Sequence, residues 1–211
     1  MSVVKSKRKE SQFEVFHHLV KMRKEVTDLL LRDFGFDADK ATKNTMKTFG
    51  GRKYEELSDS EKERYDKLTK RNAAFIEWFI LDERKVIIDC IRAITEETFV
   101  ANNIYPTCTE ELIERRLHQD RAIGECYRLT QELQYAIETL PVDVNKYLRF
   151  ADMIQTEINL LKGWRKADNK FKRAVSDSAA NFANVNSNGN ANYNNASNSN
   201  GVRPDFDSVI K

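Results

Sequence analysis

Glycine and proline are scarce in this chain of 211 residues, at seven and three respectively. Proline removes a helical hydrogen bond and glycine loosens the backbone, so their scarcity excludes frequent helix breaks, and the folded part is expected to be all-α. Cysteine is scarce too. Cys90, Cys108 and Cys126 are odd in number and lack the Cys-x-x-Cys spacing of metal and redox sites, which predicts reduced thiols in a cytosolic protein. Charge of one sign is missing: 35 basic against 33 acidic residues give a net +2. A bulk polycation is thereby excluded, and any nucleic-acid contact must come from a local patch. No long apolar run is present, since the stretch from Ala73 to Leu81 is interrupted by Glu77, and MSVVKSKRKE is not followed by an apolar core. The expectation is a cytoplasmic protein with no membrane association.

Chemical motifs are equally sparse. There is no Gly-x-Ser-x-Gly elbow, no glycine-rich phosphate loop and no paired Cys/His signature, and Gly50-Gly51 reads only as a turn. Glu14 and His17 form one Glu-x-x-His pair, but a di-iron bundle needs two, and the remaining histidines are His18 and His118. No catalytic residue, metal site or cofactor is therefore expected, and His17 and His18 read as packing or surface residues.

What the chain does contain is helical periodicity. A first helix is predicted from Gln12 to about Phe34, with Phe13, Phe16, Val20, Leu30 and Phe34 on one stripe, Val15, Leu19, Met22, Val26 and Leu29 beside it, and Gly35 as its C-cap. Residues 36–57 show no sustained period and read as a long, partly ordered connection. Ser58 with Glu61 is a capping box opening a second helix that meets no breaker until Pro106. Such a helix is about 65 to 70 Å long, more than the first helix covers, so its start around Tyr65 and Leu68 is expected to project or bend. Phe75, Ile76, Phe79, Ile80, Val86, Ile87, Ile91 and Ile94 mark its packed part, with Trp78 at the edge. Thr107 with Glu110 suggests a capping box for a third helix ending before Pro141, polar over 114–121 and apolar beyond, at Ile123, Cys126, Leu133, Ile137 and Leu140. A fourth, from Val142 to Lys172, places Val144, Leu148, Ala151, Ile154, Ile158 and Leu161 in near-heptad register. These elements pack most simply as an antiparallel four-helix bundle over 12–173, with a long connection between its first two helices; the alternative is a helical hairpin completed in an oligomer.

The last helix ends in LLKGWRKADNKFKR, six cations against one aspartate with Trp164 and Phe171 interleaved. Lys and Arg neutralise phosphates and aromatic rings stack on bases or dock on a protein; equally, cations favour any helix C-terminus, and a charged end is often merely solvated. After this run the composition changes. From Asn181 to Asn200 ten of twenty residues are asparagine, spaced by Ala, Ser and Gly, which supply too little apolar surface to offset chain ordering. Residues 174–211 read as a disordered tail and 1–11 as a flexible N-terminus. Asparagine codons begin with two adenines and end in a pyrimidine, so changing either adenine alters the residue without creating a stop.

The segment NVNSNGNANYNNASNSNGVRPDF resembles the template repeat of a diversity-generating retroelement. EINLLKGWRKADNKFKR resembles the last helix of the accessory variability determinants of these elements, and FIEWFILDER and RRLHQDRAIGECYRL resemble other helices of that family. The resemblance implies a four-helix bundle assembling into a homopentameric ring. It implies a non-catalytic subunit that binds the reverse transcriptase and the template-repeat RNA and cDNA, in support of adenine-mutagenic retrohoming. Carried onto this chain, it implies nucleic-acid contacts at Arg115, Arg116, Arg121, Lys162, Arg165, Lys166, Lys170, Lys172 and Arg173, and partner contacts at Trp164 and Phe171. Glu114 and Asp120 leave structural salt bridges open for the first three. The tail would be a passenger of overlapping coding.

Overall fold

The computed structural model describes residues 10–172, and every regular element among them is helical. The expected disordered tail lies outside the described residues, as does Arg173. Helix α1 (Glu10–Leu31) turns Val15, Leu19, Met22, Val26, Leu29 and Leu30 inward. The other apolar stripe divides: Leu30 and Phe34 join the core, whereas Val20 is 67% exposed. The helix stops earlier than Phe34 because Asp33, Phe34 and Gly35 all take left-handed φ angles of 50°, 62° and 70°. A left-handed turn of this kind costs about 1–2 kcal/mol at each side-chain-bearing residue. It is held from three sides: the Phe34 ring is fully buried, the Tyr147 hydroxyl donates to the Phe34 carbonyl at 2.6 Å, and Arg84 donates to the Leu30 carbonyl and pairs with Asp33.

The connection over 36–57 contains a helix that the sequence pattern did not suggest. Helix α2 (Ala38–Lys47) is capped by Asp37, whose carboxylate accepts the Lys40 amide at 3.0 Å. It is short and mostly polar, burying Thr45 with Ala41 and Met46 partly covered, which is why no sustained apolar stripe betrays it. Gly50 and Gly51 then turn the chain with φ of 72° each, and Phe49 and Tyr54 set their rings edge-on to Tyr65, 5.6 and 5.3 Å between centroids. The start of the next helix therefore carries α2 and its turn.

That helix, α3 (Asp59–Asn103), has 45 residues and opens on the expected Ser58–Glu61 capping box. Phe79, Ile80, Ile87, Cys90, Ile91 and Ile94 are buried, whereas Phe75 is about half exposed. Helix α4 (Thr109–Thr139) begins one residue out of the expected register: Cys108 is the N-cap, and Glu111 rather than Glu110 accepts both the amide and the hydroxyl of Thr107 at 2.7 Å. Phe79 meets Tyr135, Glu97 meets His118 and Ala101 meets Arg115, so partner numbers fall on α4 as they rise on α3.

A 3-10 turn (Val144–Tyr147) leads into α5 (Leu148–Ala167), which packs on α1 and α4. The expected seam holds from Ile154 onward but fails before it. Val144 and Leu148 are exposed, and Tyr147 and Phe150 are buried in their place. After Pro141 the 3-10 turn shifts the phase of the chain, and the two large rings bury more apolar area than Val144 and Leu148 would. No described helix is long and apolar enough to cross a membrane.

Candidate nucleic-acid interface

The end of α5 meets the first half of α4 and the C-terminus of α3 around one buried aspartate. Asp168 sits where α5 stops, its amide bonded back to Trp164 and Lys166, and it is 1% exposed. Its carboxylate accepts Arg115 Nε at 2.6 Å, Arg115 Nη2 at 3.3 Å and Gln119 Nε2 at 2.7 Å. Arg115 also donates through Nη1 to the carbonyls of Ala101 and Ile104, which the end of α3 leaves without helical partners. The guanidinium lies 5.0 Å from the Trp164 ring and 5.8 Å from Phe171.

This cluster corrects the expected surface at two positions. Arg115 and Trp164 are each 2% exposed, so both tie the three helices together instead of facing a ligand. The acidic partner of Arg115 is Asp168, from the other end of the chain, whereas Arg116 bonds Asn169 and the expected Asp120 pairs with Arg165 instead. Asp168 and Gln119 are the residues that sequence reasoning missed. The signal was present in the one acid among six cations, a residue type rarely buried without a charged partner.

Around the cluster the remaining cations form a strip along the α4–α5 seam. Arg116 donates to Asn169 Oδ1 at 2.5 Å, Arg165 pairs with Asp120 at 2.7 Å, and Lys162 donates to the Tyr127 hydroxyl at 2.8 Å while lying 5.3 Å from that ring. Lys170 lies over Phe171 at 4.7 Å, and Phe171 is set edge-on to Tyr105. Arg121, Lys166 and Lys172 are exposed and make no ion pair among the described residues. These contacts join Arg116, Lys162, Arg165, Lys170 and Phe171 along the seam, with Lys166 and Lys172 on the same stretch of chain, whereas Arg121 falls about 100° round α4 from Asp120.

Elsewhere, polar groups are buried in the core. His18 Nδ1 lies 2.7 Å from Glu157 Oε2, bridging α1 and α5, and Glu157 is fully buried. Burial pushes the Glu157 carboxyl up to about 8, and burial together with Lys21 lowers His18, so the surroundings favour the neutral form of both groups. Glu83 on α3 is raised to about 7 by burial, with Glu132 and Asp82 adding to the effect. Among the described residues no three potential metal ligands gather, and His17 is exposed. No protein-family model, curated protein or solved structure matches the chain.

Proposed function

We propose that this protein is a non-catalytic accessory subunit of a diversity-generating retroelement, binding the reverse transcriptase and the template-repeat RNA and cDNA. The observation that carries the reading is a succession in one frame: the cation strip at the end of α5 runs directly into the asparagine-rich segment whose sequence resembles a template repeat. In this reading α1, α3, α4 and α5 form an antiparallel four-helix bundle, α2 is an elaboration on the long connection, and copies of the chain assemble into a ring. Lys162, Arg165, Lys166 and Lys170 contact phosphates, and the chemistry belongs to the polymerase.

The test is a salt series of RNA and DNA binding by the full chain and by a variant with those four cations replaced by Gln. Binding that weakens with salt, and a shallower slope for the variant, support the reading; a flat response with unchanged affinity rejects it. A specific observation favours a second reading, an adaptor that binds protein partners only. Phe75, Trp78 and Leu81 leave half their area or thereabouts exposed on α3, more apolar surface than a solitary helix face ordinarily offers. A flat salt response with captured reverse transcriptase would select it.

A further inference from the structure

Two rings bracket the cation strip. Tyr105, just before α4, is 73% exposed beside Phe171, and Tyr127 on α4 is 45% exposed beside Lys162. Between them lie Arg116, Asp120 with Arg165, and Gly124. Arg116 to Tyr127 covers roughly 16 Å of helix at 1.5 Å per residue. Gly124 stands one turn before Tyr127 on the same face of α4, and a Cβ there would meet nothing within 4 Å, so the floor of the strip is open beside the ring.

We infer that this seam takes single-stranded in preference to duplex nucleic acid, an inference that rests on the nucleic-acid reading above. A duplex keeps its bases stacked inside and presents phosphate rails, so exposed rings find no partner there. A single strand offers a base face to each ring and its phosphates to the cations between. The charge balance points the same way. Among the described residues Arg116, Lys162, Lys166 and Lys172 make no ion pair, since Asn169 and Tyr127 are neutral, while Asp120 matches Arg165 within the strip. Release of about four counterions from a strand lowers log K by about three per decade of salt, against the roughly 6–10 phosphate contacts of strongly bound duplexes. Charge alone is a weak drive here, and stacking supplies the rest.

The test measures fluorescence anisotropy of the full chain with three probes: a labelled mixed-sequence DNA strand, an RNA strand of the same sequence, and the DNA strand annealed to its complement. Both single strands are expected to bind at least about tenfold more tightly than the duplex. Tyr105→Ala with Tyr127→Ala weakens the strands by about fivefold to a hundredfold or more and leaves duplex binding unchanged. Tyr105→Leu with Tyr127→Leu, which keep apolar bulk without an aromatic face, lose strand binding likewise, whereas the double Tyr→Phe variant retains it. Duplex binding as tight as strand binding, or strand affinity indifferent to the double Ala change, overturns the inference while leaving the nucleic-acid reading standing. Failure of the wild-type chain to bind any of the three probes overturns both.

Discussion

Asp168 and Glu157 are both acids buried on α5, yet their surroundings give them opposite characters. Asp168 is fully engaged by a guanidinium and an amide, so its charge is matched where it lies. Removing that charge leaves Arg115 buried without its counter-ion, and breaking one partner of a buried pair costs about 3–5 kcal/mol. Asp168→Asn should accordingly lower the unfolding free energy by that much, read as a lower urea midpoint at an unchanged m-value. Replacing Arg115 and Asp168 together by Met and Leu should cost less than the sum of the single changes, because no charge is then stranded. Among the described residues the Glu157 carboxyl has the His18 imidazole as its hydrogen-bond partner, and burial raises it from 4.5 to about 8. Between those values the folded state holds a proton that the unfolded state has released, so stability falls as pH rises through the window. Glu157→Gln keeps a donor toward His18 and cannot ionise. Unfolding in urea at a series of pH values should find the variant close to wild type near pH 4.5 and progressively more stable than wild type toward pH 8; parallel pH profiles would contradict the assignment.

Among the elements, glycine separates two kinds of backbone demand. Gly50 and Gly51 have φ of 72°, where a side chain is strained, and Ala at either should destabilise by about 1 kcal/mol. Gly124 and Gly163 lie inside α4 and α5 with open space around a built Cβ, so Ala at either should stabilise by about 1 kcal/mol. Thermal unfolding of the four single variants reads this as opposite shifts in Tm, and shifts of one sign would show that helix propensity does not govern the latter pair. The same division explains what could be read from the chain. α3 was legible because a capping box and a proline bracket a strongly apolar stripe, and α4 because two prolines bound it. α2 was not, since a helix of 10 residues that turns only Ala41, Thr45 and Met46 inward is too short and too polar to show a sustained apolar stripe. The start of α5 was misread because two apolar phases compete there, and a 3-10 turn, invisible to a heptad count, selects Tyr147 and Phe150. At the interface, the exposed cations were found by composition. Arg115 was assigned to the surface because its partner lies 53 residues away, and no local pattern records such a pairing.

At the scale of the whole molecule, one exposed apolar cluster lies apart from the cations. The cations gather at the end of α5, which meets the C-terminus of α3, whereas Phe75, Trp78 and Leu81 lie much earlier on α3. Phe75 and Trp78 contact one another at 5.8 Å, and Leu81 lines a cavity of about 360 Å³ with Phe36, Ile76, Ile80, Asp33 and Arg84. Water against such a surface is costly, roughly 25 cal/mol for each Å² left uncovered, so a second chain that covers it gains from burial without competing with the cation strip. If the proposed assembly uses this face, Trp78→Asp with Leu81→Asp places charges in the contact, and light scattering should report a smaller particle than wild type at the same concentration. Strand affinity of the isolated variant should stay within about twofold per site, because neither residue lies on the α4–α5 seam. A wild-type chain that scatters as a monomer at high concentration would remove self-assembly from the proposal and turn the apolar face over to a different partner. A variant that keeps its mass would place the subunit contact elsewhere on the molecule.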